Sequence, residues 1–259
     1  MPRDLAKRNG SNMNEMTRRR FVKSGASVLL APAMMGLRGT HDPRLTARPG
    51  HPTLTPEVGL SRIGPDLPRG GLLYVPESYT SEEYAPLIVA LHGGGGYSGS
   101  WSLLFDECDN RGIVLMAPDS RGRSWDRVRG DFGPDVRFID SALQYTFDRC
   151  AIDPARVALL GFSDGASYTL SFGVSNGDLF THLIAFSPGF SDPAEPIVGR
   201  PSVFVSHGSD DRSLPVVATR SGLVPMFEMD GYSVEYVEFG GTHEIPDEVA
   251  TRALDWFLQ

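Results

Sequence analysis

Beyond residue 70 the chain reads as an alternation of short, nearly unbroken apolar runs and longer amphipathic ones. The runs are GLLYVP (71–76), PLIVALHG (86–93), GIVLMAP (112–118), RVALLG (156–161), HLIAFSP (182–188), SVFVSHG (202–208) and SVEYVEF (233–239). Most are bounded by Gly or Pro and continuous rather than alternating, the pattern of strands buried on both faces of a parallel sheet. Between them, helical periodicity is expected over 100–110, 136–150, 164–176, 216–230 and 246–257. Strand and helix in repeated succession predict an α/β doubly wound, mostly parallel sheet. Such sheets collect their chemistry at the carboxyl ends of the strands, so the residues just after each run carry the functional question.

The first 70 residues break the pattern. Residues 1–48 hold ten Lys or Arg against three acids, leaving 14 bases and 29 acids in the rest. An acidic body repels phosphate backbones and anionic lipid surfaces, which argues against nucleic-acid binding and against peripheral membrane docking. The basic stretch MTRRRFVKSGASVLLAPAMMGLRG resembles a twin-arginine export signal through Thr17-Arg18-Arg19-Arg20-Phe21-Val22-Lys23. Its apolar part is too short to span a bilayer and is interrupted by Pro32, so no stable membrane anchor is expected. The resemblance implies a bacterial, periplasmic or secreted protein and the twin-arginine export machinery as a partner. The expected division is a signal and linker over 1–45 and one folded domain over 46–259. Residues 39–68, rich in Pro, Gly, Thr and Arg, read as a linker leading into an edge strand or two.

Within the folded part, RVALLGFSDGASYTL passes from strand to helix with no loop residues between. Ser163 stands at the turn, with Gly161 and Gly165 two places to either side. A side chain pushed out at so sharp a turn strains its own backbone and leaves no room for a β-carbon at those two positions. The hydroxyl would stand above the sheet at the amino end of a helix, where free N–H groups favour developing negative charge. The alternative is a surface turn with an idle serine.

A serine hydroxyl needs a base, and the base needs an acid to orient it. Of the six histidines, His41 and His51 lie in the linker, His182 begins a strand, and His92 and His207 precede Gly at strand ends, where they would brace loops. His243, in the glycine-hinged EFGGTHEIP after the last strand, is the candidate general base. SHGSDDRSLP offers Asp210 and Asp211 as the acid, and spacing alone does not choose between them. HGGGGYSGSW supplies glycine backbone after an earlier strand, so Gly94 and Asp164 are the expected N–H donors to an oxyanion. A phosphate loop would need a following Lys-Ser or Lys-Thr, and both lysines of the chain, Lys7 and Lys23, lie near the amino terminus.

With Ser163, Asp210 or Asp211, and His243 in that order, the sequence resembles an α/β-hydrolase from about Gly70 to the end. LHGGGG is similar to an oxyanion loop, GFSDGAS to the elbow of the phospholipase/carboxylesterase group, and HGSDDRSLP to the run that carries the acid. Aligned that way, the resemblance implies Asp211 as the acid. It also extends to secreted esterases related to polyhydroxyalkanoate depolymerases and feruloyl esterases. Ala166 stands where that elbow often has a second Gly.

Few residues separate the strand ending at Pro188 from Ser202, so no helical cap is expected and the site should be open. DSRGRSWDRVRGDFGPD places Arg121, Arg123, Arg127 and Arg129 around Trp125. Trp125 is a candidate wall of the substrate pocket. The arginines would bind an anionic or aromatic group, or else be a solvated loop neutralised by Asp119, Asp126, Asp131 and Asp135. No metal or other cofactor is expected, because the histidines are scattered and the cysteines are not at zinc spacing. Cys108 and Cys150 end helices expected on opposite faces of the sheet, which works against a disulfide. The reading is a serine hydrolase acting on a small-molecule or oligomeric carboxylic ester. Its alternatives are a polymer-ester depolymerase or peptidase with the same three residues, an acyltransferase, and a noncatalytic binding protein on the same fold.

Overall fold

Along the central strands, successive side chains fall alternately into two apolar clusters. In β3 (Ala85–Leu91), Leu87, Val89 and Leu91 join the cluster that holds Val136, Ile139, Leu143, Ala166 and Leu170. Ile88 and Ala90 join the other, with Leu104, Cys108, Val249, Leu254 and Phe257. This is the two-residue period of a strand packed on both faces, and it is why the apolar runs are continuous. Every residue of β3 and of β4 (Val114–Pro118) is buried.

These observations come from a computed structural model that describes residues 42–64 and 67–259. The strands β1 (Gly59–Ile63), β2 (Gly71–Val75), β3, β4, β5 (Ile152–Phe162), β6 (His182–Phe186), β7 (Ser202–Gly208) and β8 (Val234–Phe239) form one sheet in the order β1-β2-β4-β3-β5-β6-β7-β8. β1 and β2 are antiparallel to their neighbours, and the pairings from β4 through β8 are parallel. The helices are α1 (Phe105–Arg111), α2 (Asp126–Arg129), α3 (Pro134–Phe147), α4 (Asp164–Gly173), α5 (Val216–Ala218), α6 (Val224–Met229) and α7 (Asp247–Phe257). Buried residues of α3 and α4 lie in the first cluster, and those of α1 and α7 in the second. Cys108 and Cys150 therefore sit on opposite sides of the sheet, and both are free thiols.

The elements depart from the sequence pattern in three places. The helix expected from residue 100 begins as a 3-10 segment, Ser98–Leu104, before α1. The helix expected over 216–230 is split by a π turn, Thr219–Leu223. α2 arises in the arginine-rich loop, where no helix was expected. The start of the expected linker is also tied to the body. Arg44 pairs with Asp178 at 2.7 Å, the Leu45 N–H donates to Asn176 Oδ1 at 2.9 Å, and Leu45 and Ala47 are buried. The twin-arginine-like stretch lies outside the described residues.

The connection from β6 to β7, residues 187–201, contains no helix. It is held to the helix after Ser163 by hydroxyls one turn apart. Ser167 Oγ accepts from the Gly189 N–H at 2.9 Å, Ser171 Oγ accepts from the Asp192 N–H at 2.9 Å, and Ser175 Oγ donates to the Ala194 carbonyl at 2.6 Å. The connection is thus pinned at successive turns along α4 and the 3-10 turn that follows it.

Candidate active site

The β5–α4 turn has the strain its sequence implies. Ser163 adopts φ 56° and ψ −117° between the last residue of β5 and the first of α4. A β-carbon on Gly165 would run into the Leu91 carbonyl and come within 2.7 Å of the His92 carbonyl, while one on Gly161 would collide with the backbone of Gly165. Glycine at both positions lets α4 press directly on β3, which brings the residues after β3 beside Ser163. A β-carbon on Gly93 would touch the Ser163 β-carbon at 3.4 Å. The strained turn is anchored by the Ser163 N–H, which donates to the Phe186 carbonyl at 2.9 Å.

The loop after β3 is braced from behind. His92 is buried, and its Nε2 accepts from the Ser120 N–H at 3.0 Å while its Nδ1 lies 2.7 Å from the Gly93 carbonyl. That arrangement requires the neutral imidazole with the proton on Nδ1. Burial holds its pKa below the ordinary histidine value, against the opposing pull of the Gly93 carbonyl. Trp125 Nε1 donates to the His92 carbonyl at 2.8 Å. The Gly95 N–H donates to the Arg123 carbonyl and the Gly96 N–H to the Gly93 carbonyl. Among the described residues the N–H groups of Gly94 and Asp164 have no acceptor; Asp164 follows Ser163 directly, and Gly94 follows Gly93, which packs against it. The Asp164 carboxylate lies against Gly94 and accepts from Ser124 Oγ at 2.5 Å.

The end of β7 supplies the carboxylate and the end of β8 the imidazole. Asp211 is buried while Asp210 is exposed. Asp211 Oδ2 lies 2.6 Å from His243 Nδ1, and its Oδ1 accepts from the N–H groups of Ser213 and Leu214 at 2.8 and 2.9 Å. One carboxylate therefore both ties its own turn and holds His243. Burial alone would raise its pKa, but the Leu214 N–H, His243 and the Ser213 N–H outweigh it and hold the carboxyl below the ordinary aspartate value. His207 stands behind as a brace, its Nε2 2.7 Å from the Leu214 carbonyl and 3.2 Å from Asp211 Oδ2. The His243 ring rests on Phe162, next to Ser163, with centroids 4.7 Å apart. The Ser163 hydroxyl makes no hydrogen bond among the described residues, so its link to His243 is open in this conformation. Catalytic hydrogen bonds of this kind are often long without substrate.

Two expectations are corrected here. Trp125 does not wall a pocket. It is fully enclosed, between His92 and Tyr168, because its ring fills the space behind the glycine loop and its N–H finds a carbonyl there. Nor is the arginine-rich loop neutralised by solvated acids. Asp126 and Asp135 are buried and cap each other's backbone N–H groups at 2.7 and 2.9 Å, and only Asp131 of that set pairs with an arginine, Arg127. Among the described residues no group of three or more His, Cys, Asp or Glu is placed to hold a metal ion.

No family model matches the chain. Over 118 residues it is 33% identical to feruloyl esterase B of Thermothelomyces thermophilus, a match covering 42% of this chain and 40% of that protein. Over 143 residues it is 29% identical to human 1-acylglycerol-3-phosphate O-acyltransferase ABHD5, covering 54% of this chain and 37% of that one. The chain thus spans less than half the length of these curated relatives. The solved structure of S-formylglutathione hydrolase from Staphylococcus aureus superposes with a TM-score of 0.62 over 79% of this chain and all of that one, at 12% identity. The chain has the α/β-hydrolase fold. Within that fold, the ends of β5, β7 and β8 bring Ser163, Asp211 and His243 to one edge of the sheet, with Gly94 and Asp164 beside the serine.

Proposed function

We propose that the chain is a carboxylic ester hydrolase working through an acyl-enzyme on Ser163. The observation that carries this reading is the Asp211–His243 pair set beside a serine held in a strained turn. A buried carboxylate 2.6 Å from Nδ1 fixes the imidazole with its proton on that nitrogen, leaving Nε2 free as a base. His243 Nε2 then takes the Ser163 proton as Oγ attacks the ester carbonyl. The tetrahedral oxyanion forms beside the free N–H groups of Gly94 and Asp164, at the amino end of α4. His243 returns the proton to the departing alcohol, and water attacks the acyl-enzyme by the same route in reverse.

The matches to feruloyl esterase B and S-formylglutathione hydrolase agree with hydrolysis, and the acyltransferase match keeps acyl transfer as the second reading. A helix-free connection after β6 favours hydrolysis, since transfer needs water kept from the acyl-enzyme. The test is release of 4-nitrophenol from acetate, butyrate and decanoate esters by the purified chain and by Ser163→Ala. Turnover lost in the variant supports the reading. Turnover that survives in Ser163→Ala contradicts it. The basic stretch around Arg18 and Arg19 supports export to the periplasm or beyond, which a reporter fused after residue 45 would test by appearing outside the inner membrane or failing to.

A further inference from the structure

Four arginines sit in the loop after β4, and the structure separates their roles. Arg121 lies over the Phe138 ring at 3.6 Å and donates to the Asp119 carbonyl at 2.7 Å. Arg127 pairs with Asp192 at 2.9 Å and with Asp131 at 3.4 Å. Arg129 donates to the Ser124 carbonyl at 3.1 Å. Arg123 is exposed, and its guanidinium has no hydrogen-bond or ion-pair partner among the described residues.

Its place in the fold is fixed nonetheless. The Arg123 carbonyl accepts the Gly95 N–H at 2.6 Å, and a guanidinium nitrogen lies 3.9 Å from where a β-carbon on Gly95 would stand. Gly95, at φ +76°, follows directly on Gly94, where a β-carbon would run into the carboxylate of Asp164, the residue after Ser163. The neighbouring acids are engaged elsewhere: Asp119 with the Ser98 N–H, Asp126 and Asp135 with each other's backbone, Asp131 with Arg127, and Asp164 with Ser124. An unpaired cation therefore lies beside Gly95, one residue along the chain from Gly94.

We propose that Arg123 is a specificity residue that binds a carboxylate carried by the substrate, so that the site favours esters of which one half ends in an acid. This rests on the hydrolase reading of the same site. The planar guanidinium offers two parallel N–H donors that match a carboxylate. A singly charged group suits the position better than a phosphate dianion, because the Asp164 carboxylate lies across the loop and the body of the protein is acidic.

The experiment compares the wild-type chain with Arg123→Gln, Arg123→Lys and Arg62→Gln, the last a remote loss of the same charge on the edge strand β1. Two substrate pairs place the acid on either half of the ester: mono-4-nitrophenyl adipate against 4-nitrophenyl hexanoate, and 4-carboxyphenyl butyrate against phenyl butyrate. In Arg123→Gln the ratio of kcat/KM for acid over neutral ester falls about fivefold in at least one pair, through KM, and the preference weakens with salt. Arg123→Lys restores part of it, and Arg62→Gln leaves the ratio at its wild-type value. Calorimetric binding of adipate and of 4-hydroxybenzoate to wild type and Arg123→Gln provides a readout independent of turnover. Absent turnover with Arg123-dependent binding would sink the hydrolase reading and leave the carboxylate site standing. Acid-to-neutral ratios and carboxylate binding that are unmoved by Arg123→Gln would overturn the proposal.

Discussion

The Asp211 carboxylate divides its oxygens, one held by the N–H groups of its own turn and the other 2.6 Å from His243 Nδ1. The first set fixes the carboxylate so that the second can fix the imidazole. Asp210, exposed one residue earlier, contributes only its backbone N–H, to the Gly241 carbonyl.

Exchange of the two aspartates for asparagine should therefore give opposite results. Asp211→Asn is expected to lower kcat on 4-nitrophenyl butyrate by about 10³- to 10⁴-fold, because the imidazole loses its orienting acceptor. Asp210→Asn is expected to stay within about twofold of wild type, as an exposed substitution. Steady-state kinetics on both variants checks this.

Gly165 has no room for a side chain, since a β-carbon there would meet the Leu91 carbonyl at the end of β3, which cannot move without breaking the sheet, and the His92 carbonyl just after it. Gly165→Ala should cost about 1–3 kcal/mol or prevent folding. At Gly222, in the π turn, a β-carbon meets nothing within 4 Å, and Gly222→Ala should be neutral or stabilising by up to about 1 kcal/mol. Urea denaturation of the two variants separates a packing constraint from a general intolerance of substitution.

Trp125 acts by bracing. Trp125→Phe removes the hydrogen bond to the His92 carbonyl while keeping most of the buried ring, and should cost about 1 kcal/mol or somewhat more, since that carbonyl is left without its donor. Preference among acetate, butyrate and decanoate esters should keep its order, because the ring faces no substrate. A reordered preference would return Trp125 to the pocket.

Stability should fall as the medium is acidified below the ordinary histidine value near pH 6.5. Burial holds the pKa of His92 and of His182 below the ordinary value near 6.5, so the unfolded chain binds these protons first. Their contribution is complete above that value and is lost as pH drops through the folded one. Asp211, also held low, contributes above the unfolded carboxyl value near 3.9 and loses that only in stronger acid. His182→Gln should flatten the dependence of Tm on pH in the upper window, and an unchanged slope would count against it.

The sheet and its edge were legible because burial on two faces writes itself as unbroken apolar runs, and because the turn at Ser163 can be built only with Gly161 and Gly165 in place. What escaped were features whose partners are distant in sequence. Trp125 sits among Ser, Arg and Asp, so nothing local marks it as core; its enclosure depends on Tyr168 and His92. Asp126 and Asp135 look like surface acids until α2 and α3 fold back so that each caps the other. Leu45 is legible as apolar, but the Asn176 side chain that receives its N–H lies 131 residues away. The choice of Asp211 was open on spacing and narrowed only by resemblance, because which of two adjacent carboxylates faces His243 depends on how β7 ends.

The most direct measurement is the mass and location of the adduct formed with a fluorophosphonate. One adduct per chain is expected, mapped by peptide sequencing to Ser163, absent in Ser163→Ala and formed far more slowly in His243→Ala. No adduct on the folded wild-type chain, or an adduct that persists when Ser163 is replaced, would contradict the hydrolase reading.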